Sequence, residues 1–308
     1  MTFKLLNGLM TGRLYLKTFL ISLVYHSSHF WSDKLYLKIM YRLQMGSHLN
    51  LENPKTYNEK LQWIKLYDRK PEYSIMVDKV RVKDYVAEKI GEEYIIPTIG
   101  VWSDPEDIDF QTLPTKFVIK CNHNSGTGMY ICTDKSKMDI NKVKSELRKG
   151  LKENYYIRNR EWPYKEVKRK ILAEEFLEIP GQASLNDYKI MCFNGKAKLI
   201  ELHEGRFTNK HTQTFYDTQW NITSLTQDSY GECNKVPSPK PALLEEMINL
   251  SEVLAKDIPH IRVDWYIVNN KLYFGELTFF DGSGFDKFIP VDYNYIIGSW
   301  ITLPNITK

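Results

Sequence analysis

Two carboxylates stand where a strand ordinarily places apolar residues. The stretch Arg262-Val-Asp-Trp-Tyr-Ile-Val-Asn-Asn-Lys-Leu-Tyr-Phe-Gly-Glu-Leu-Thr278 is rich in β-branched and aromatic residues on both sides of Asn269-Asn270, the pattern of a hairpin. Each strand carries one acid, Asp264 and Glu276. Side chains alternate faces along a strand, so a slip of one residue carries the whole set to the other side. A two-residue turn at Asn269-Asn270 pairs Val268 with Lys271, sets Val263 opposite Glu276 and turns Asp264 away. A three-residue loop, or a bulge, brings Asp264 opposite Glu276 instead. Like charges directly opposite repel. That second register asks for a compensating cation, and Mg2+, typically held by one or two carboxylates plus phosphates, is the simplest. An edge hairpin with both acids in water is the plain alternative.

At 308 residues, 43% hydrophobic and 26% charged, the chain has the size and composition of one large or two ordinary soluble domains. A net charge of +4 is too modest to argue for nucleic acid. The 20 Tyr and 7 Trp suit flat polar ligands such as sugars or a base, and equally suit ordinary sheets and cores. Four cysteines without paired short spacings read as free thiols in a reducing cytosol. Residues 1–45 are basic and aromatic, with one apolar run, Thr18-Phe-Leu-Ile-Ser-Leu-Val-Tyr25. It is too short to span a bilayer, which needs about 20 residues, and no signal-like cleavage site follows it. An amphipathic helix packed on the protein is expected; with Lys4, Arg13 and Lys17 the alternative is contact with an anionic membrane surface.

Further along, Thr56 and Glu59 form a capping box opening a helix. A second helix is expected over 73–90, its charges Asp78, Lys79, Arg81, Lys83 and Asp84 read as a solvated face. Strands are expected at 95–102 and 117–120, the latter ending in Lys120 before Cys-Asn-His-Asn-Ser-Gly-Thr-Gly-Met129. Such a loop can surround phosphates with backbone N–H groups, although its spacing is not that of a Walker loop and a plain hairpin turn explains it as well. Residues 142–170 are a helix followed by a basic, aromatic stretch, which would favour an anionic polymer as well as solvent. Residues 170–178 read as a strand that turns acidic at Glu174-Glu175, and 188–200 as a hairpin about Asn194-Gly195. Residues 201–241, carrying Arg206 and His211, read as a long functional loop, 241–255 as an amphipathic helix and 279–285 as a flexible glycine segment.

Read in order, Asp78-Lys79 with Arg81 and Lys83, Val-Ile-Lys120 before Ser-Gly-Thr-Gly, Glu-Glu-Phe-Leu177, Arg-Val-Asp264 and Gly-Glu276-Leu-Thr278 follow the order of elements in ATP-grasp ligases. The chain resembles that superfamily from about residue 33 to 304. It is most similar to the TupA-like group of teichuronopeptide and cell-envelope polysaccharide biosynthesis, whose segments resemble Asn-Pro-Lys-Thr-Tyr-Asn-Glu-Lys-Leu-Gln-Trp63 and Asp-Tyr-Lys189. The resemblance implies an α+β ATP-grasp fold, two lobes with antiparallel sheets enclosing a nucleotide cleft, plus an N-terminal helical extension. The expected division is 1–70 for the extension, 71–175 for the lobe with the phosphate-binding lysines and glycine loop, and 176–308 for the C-terminal lobe with the metal-binding hairpin.

The resemblance also implies roles. Lys79 and Lys120 would contact ATP phosphates under a loop containing Ser125, Gly126, Thr127 and Gly128. Glu174, Glu175 and Leu177 would meet the adenine edge, and Lys189 the γ-phosphate. Asp264 and Glu276 would hold Mg2+, with Thr278 where many members carry Asn, a shorter and weaker ligand. Lys120 and Arg262 would neutralise charge during phosphoryl transfer. The implied reaction joins a carboxylate, here a uronic acid of an envelope or capsule polysaccharide, to the amine of an amino acid or glutamyl chain through an acyl phosphate. Arg206 and His211 are the candidate substrate contacts, and His123 is the loop histidine to test. A cytoplasmic protein, with or without contact to the inner face of the membrane, is implied, and nucleic acid is not. Two readings stay open beside it: a glycosyltransferase or sugar kinase using the same cleft, and a non-catalytic assembly scaffold.

Overall fold

Antiparallel hairpins account for most of the architecture. The computed structural model describes residues 15–206, 208–228 and 236–305. Nine α-helices are found among them: α1 (residues 15–26), α2 (Asp33–Met45), α3 (Tyr57–Tyr67), α4 (Tyr73–Met76), α5 (Arg81–Ile90), α6 (Ile140–Lys152), α7 (Tyr155–Asn159), α8 (Leu244–Leu254) and α9 (Asp292–Ser299). Strands β1 (Thr98–Trp102), β2 (Phe117–Cys121), β3 (Met129–Cys132) and β4 (Ile171–Glu175) form a sheet in the order β1-β4-β2-β3. A larger sheet, β10-β9-β5-β6-β7, is built from β5 (Asp187–Phe193), β6 (Lys196–Glu204), β7 (Thr212–Tyr216), β9 (His260–Val268) and β10 (Lys271–Thr278). Every pairing in both sheets is antiparallel. The short strands β8 (Thr226–Gln227) and β11 (Phe288–Ile289) pair with each other.

Each sheet has its own core. Phe117, Ile119, Ile171 and Ala173 of the small sheet pack against Val143 and Leu147 of α6. The glycine loop reaches the same helix. A Cβ on Gly128 would stand 2.8 Å from the Gly150 Cα and 2.7 Å from the Cys121 sulfur, so only glycine allows that approach. The large sheet buries Ile190, Ile200, Val263 and Trp265 with residues of α3, α5 and α8, including Leu61, Val86 and Met247. Full burial of such side chains stabilises the fold by roughly 1.5–3 kcal/mol each. The Trp265 indole N–H, which would be costly unpaired there, donates to the Ser251 hydroxyl at 2.8 Å.

Alternation places a different chemistry on the other face of the large sheet. Glu276, Asp264, Lys189 and Glu201 stand opposite one another across β10, β9, β5 and β6, and Asp187 faces His203 one step along. Asp264, Lys189, Glu201, Asp187 and His203 are all buried. A buried face of this composition is stable only when its charges are paired.

Four expectations change. The helix expected over 73–90 breaks between Met76 and Arg81. Asp78 there is buried, accepting from the Val80 N–H at 3.0 Å and the Asn122 side-chain amide at 2.7 Å, and is not part of a solvated face. Residues 201–241 are not one loop, since the end of β6 together with β7 and β8 lies within them. The glycine segment is a fixed turn over Asp281–Gly284, its Ser283 carbonyl accepting from Lys65 Nζ at 2.8 Å and its Gly284 carbonyl from Gln62 Nε2 at 3.0 Å. Finally, α1 is apolar on two sides. Ile21 and Val24 pack on the core, whereas Leu16, Phe19 and Leu23 are exposed. Among the described residues no helix is long and apolar enough to cross a membrane. Cys121, Cys132 and Cys192 are buried free thiols; Lys4, Arg13 and Cys233 lie outside the described residues.

Candidate active site

The hairpin resolves its register by an irregularity. Asn269 and Asn270 both adopt left-handed backbone, φ 51° and 58°, and close a two-residue turn that pairs Val268 with Lys271. Continued unchanged, that register would separate the acids. Between Phe274 and Glu276 it shifts by one residue at Gly275, and Glu276 comes to stand opposite Asp264. Bulges recur beside functional sites because they re-aim side chains in this way. Glycine keeps this approach open, since a Cβ at 275 would lie 3.1 Å from both the Asp264 carbonyl oxygen and the Tyr266 ring and would press on each.

Beneath the two acids lies a network of cations. The Arg262 guanidinium grips Asp264 through Nε at 2.7 Å and Nη2 at 2.9 Å, and its Nη1 meets Asp281. Lys189 Nζ bridges Asp264 and Asp187, the latter at 3.1 Å, and Arg206 meets the same Asp187 oxygen, Oδ2. Burial, the largest single influence on Lys189, and the neighbouring Arg262 both lower its pKa; Asp264 and Asp187 outweigh them, and it stays a cation. Glu276 is less enclosed. Arg262 Nη2 and Lys79 Nζ each stand 3.6 Å from its oxygens. Burial pushes its pKa up, but Lys79 first, then Lys189 and Arg262, draw it below the ordinary value against the opposing charge of Asp264. Thr278 sits behind, its hydroxyl accepting from Arg262 Nη2 at 3.2 Å.

The facing wall comes from the small sheet. Lys120, at the end of β2, forms an ion pair with one oxygen of Glu174 on β4, and Lys83 of α5 holds the other at 2.7 Å. Burial is the largest influence on Glu174 and raises its pKa; Lys120 and Lys83 together outweigh it, and the net shift is downward. Lys83, expected on a solvated helix face and given no role by the resemblance, is instead a partner of Glu174. The glycine loop is anchored at its start, with Lys79 Nζ donating to the Asn124 carbonyl at 2.9 Å and the backbone N–H of Lys79 to that of Asn122 at 3.0 Å. Beyond that anchor Ser125 and Gly126 are exposed. His123 turns inward, its Nε2 3.1 Å from the Glu153 carbonyl, and burial lowers its pKa.

Between the sheets lies a cleft of about 790 Å3, the size of a small-molecule site. Of the residues singled out in the sequence, Lys79, Lys120, Ser125, Gly126, Thr127, Glu174, Glu175, Leu177, Arg206, Asp264 and Glu276 line it. Lys189 and Arg262 lie under its floor as partners of Asp264, Gly128 packs on α6, and His211 pairs with His203 at 2.8 Å. Among the described residues no group of three or more His, Cys, Asp or Glu could hold a metal by itself. Two adjacent carboxylates facing a cleft of this size nevertheless fit Mg2+, which completes its shell with phosphate oxygens and water.

The sequence matches the family described as TupA-like ATPgrasp over residues 59–302. No curated protein matches it. Among solved structures it is similar to the D-alanine–D-alanine ligase of Bacillus anthracis complexed with ATP, at 18% identity and a TM-score of 0.39, covering 66% of this chain and 53% of that one. The D-alanine–D-alanine ligase of Helicobacter pylori shows 13% identity and a TM-score of 0.45, covering 80% and 69%. The ATP-grasp ligase PsnB complexed with minimal precursor, Mg and ADP shows 8% identity and a TM-score of 0.37, covering 72% and 57%. The chain thus spans about half the length of the Bacillus anthracis enzyme. The family match takes in both sheets and every residue lining the cleft, and with the α+β architecture described above it shows that the chain belongs to the TupA-like ATP-grasp family.

Proposed function

We propose that the protein is an ATP- and Mg2+-dependent carboxylate–amine ligase that forms an amide through an acyl phosphate. The observation that carries this reading is the bulge at Gly275, which sets Asp264 beside Glu276 on the floor of a nucleotide-sized cleft. Lys79 and Lys120 line the same space. Asp264 and Glu276 would hold Mg2+, whose charge, when bound, helps neutralise the phosphates. The chain's own residues do the remainder. Lys79 and Lys120 offset phosphate charge, and backbone N–H groups of residues 125–128 cover it. Lys189 and Arg262 hold Asp264 in place, and Glu174, Glu175 and Leu177 border the space for the base. A substrate carboxylate attacks the γ-phosphoryl group, and an amine then displaces phosphate from the acyl phosphate.

For the carboxylate we propose a uronic acid of an envelope polysaccharide, and for the amine an amino acid or glutamyl chain. The Arg206 guanidinium at the cleft supports an anionic substrate. A cytoplasmic location is supported by the buried free thiols. The exposed Leu16, Phe19 and Leu23 of α1 support contact with a membrane surface.

ADP release from ATP and Mg2+, screened against glucuronate with and without amino acids, tests the reading. Release that needs both partners is expected. Release with the sugar alone would replace the ligase by a kinase, and stabilisation by UDP-sugars but not by ATP would replace it by a glycosyltransferase.

A further inference from the structure

Beside the cleft stands a charged surface that the proposed chemistry leaves unused. Residues 150–170 leave the root of the glycine loop, reach the turn after β10 and return. At the outgoing end Gly150 packs on Gly128, while the carbonyl and carboxylate of Glu153 accept from His123 Nε2 at 3.1 Å and from Asn124 Nδ2 at 2.9 Å. At the returning end the Asn122 side chain donates to the Lys168 carbonyl at 3.0 Å and accepts from the Lys170 N–H at 2.7 Å. Midway, Asn159 donates to the Ser283 hydroxyl at 2.9 Å. The excursion therefore borders the end of the cleft where Lys79, tied to Asn122 and Asn124, approaches Glu276. Burial first, then the Glu161 and Glu276 carboxylates, raise the pKa of the Tyr155 phenol, so this ring too lies within reach of the Glu276 charge.

Charge is unevenly distributed along this excursion. Lys152, Arg158, Lys165, Lys168 and Arg169 are exposed, and Glu166 is the one exposed acid among them. Earlier on α6 three cations are neutralised, Lys144 and Arg148 by Glu106 and Lys149 by Glu146 at 2.5 Å. From Lys152 onward that pattern ends. The buried Arg160 pairs with Asp33 at 3.3 Å, but among the described residues no carboxylate lies within 4.0 Å of the five exposed cations. The other acids of the segment are turned inward, Glu153 to Asn124 and Glu161 to the Ser283 hydroxyl. Arg169 Nη1 donates to the Leu151 carbonyl at 2.9 Å, which gathers Lys152, Lys168 and Arg169 at the loop root. Solvation explains a lone exposed lysine. Several like charges set apart from the acids beside them raise the local potential and attract a polyanion. Tyr155 and Tyr156, partly exposed, belong to the same excursion, and Lys165 Nζ stands 5.5 Å from the Tyr156 ring centroid. Aromatic faces among cations suit a carbohydrate that carries carboxylates, because the rings pack on sugar C–H groups while the cations meet the acids. A glutamyl chain offers the same charge without those faces.

We propose that this surface docks an anionic polysaccharide, a polyuronate chain, and holds it so that one of its carboxylates enters the cleft beside Glu276. This rests on the ligase reading and deepens it: the substrate is a polymer, recognised in part by residues outside the nucleotide cleft. Lys152, Lys168 and Arg169 meet uronates near the glycine loop. Arg158 and Lys165 meet others further along the chain, and Tyr155 and Tyr156 offer their rings to the sugars. Contacts of this kind act on the encounter and residence of the chain rather than on phosphoryl transfer.

Fluorescein-labelled polygalacturonate, followed by anisotropy, tests the surface without requiring turnover. Wild type is compared with Lys152→Glu/Lys168→Glu/Arg169→Glu and with a control of equal charge change on α6, Lys144→Glu/Arg148→Glu/Lys149→Glu. The first variant is expected to weaken binding by about tenfold or more, the low end of what electrostatic steering supplies, and the control to change it little. Wild type alone gives a second readout. Salt at about 1 M, where the screening length is about 3 Å, should release the chain, and unlabelled polyglutamate or phosphatidylserine vesicles should compete poorly with it. Unchanged binding in the first variant, an equal loss in the control, binding that survives high salt, or equal competition by polyglutamate or vesicles overturns the proposal. ADP release with ATP, Mg2+, galacturonate and an amino acid keeps the two readings apart. Chain binding without release counts against the ligase, whereas release with galacturonate and no chain binding counts against the surface alone.

Discussion

On the floor of the cleft Asp264 is held by Lys189 and Arg262, cations that are themselves buried and shared with Asp187 and Asp281. On the opposite wall Glu174 is held by Lys120 and Lys83, whose side chains are 19% and 12% exposed and reach across from separate elements. The floor is over-determined, because Asp264 is shared by Lys189 and Arg262 and each of those cations also holds a second carboxylate, so removing one charge unbalances a whole buried network. The wall has an alternative to its pairing, since a phosphate entering the cleft can take Lys120 while Lys83 still neutralises Glu174. A preorganised floor and an exchangeable wall are what a site needs to bind a polyanion without rebuilding itself.

The largest effect should come from breaking the floor. Asp264→Asn leaves Lys189 and Arg262 short of a carboxylate and is expected to cost about 3–5 kcal/mol in denaturant unfolding, together with the response to Mg2+-ATP. Lys189→Met should cost a similar amount, whereas Lys120→Met should change stability little and weaken ATP binding. Equal losses of stability for the two lysines would remove the distinction between floor and wall. Gly275→Val tests the geometry rather than the charge. Its side chain meets the Asp264 backbone and should cost about 1–3 kcal/mol by overpacking, with loss of the ATP response.

The smallest effect concerns pH. The folded-state pKa of Glu174 is depressed below the unfolded value of about 4.3. The stability its ion pairs contribute is therefore present above that value and is lost as pH falls through the folded pKa. Glu174→Gln should flatten this part of the acid-unfolding curve, and an unchanged curve would show that the wall pairing adds nothing.

Where sequence reasoning succeeded and failed follows from the same contrast. The acids of the hairpin were legible because a carboxylate in an otherwise apolar, alternating strand is conspicuous. Their register was not, since the turn and the bulge act in opposite directions and only packing decides between them; Gly275 was the available hint. Asp78 and Lys83 looked like a solvated helix face because helical periodicity carries no information about Asn122 or Glu174, which arrive from distant strands. β7 was hidden for a related reason. Its Thr212-Gln-Thr-Phe-Tyr216 segment lies at the edge of a sheet whose one face is polar, so composition there resembles a loop. The turn at Asp281–Gly284 read as flexible because what fixes it, buried Lys65 and Gln62, lies some 220 residues earlier.

The central claim is that Asp264 and Glu276, brought together by the bulge, act as one Mg2+-dependent nucleotide floor. The most direct measurement is the rise in melting temperature with ATP, taken with Mg2+ and with EDTA, for wild type and Glu276→Gln. Glu276 is the more open of the two acids, and its replacement leaves the Asp264 network intact. The account predicts a clear rise for wild type only when Mg2+ is present, and little or none for the variant. An equal rise with EDTA, or one that survives in Glu276→Gln, would contradict it.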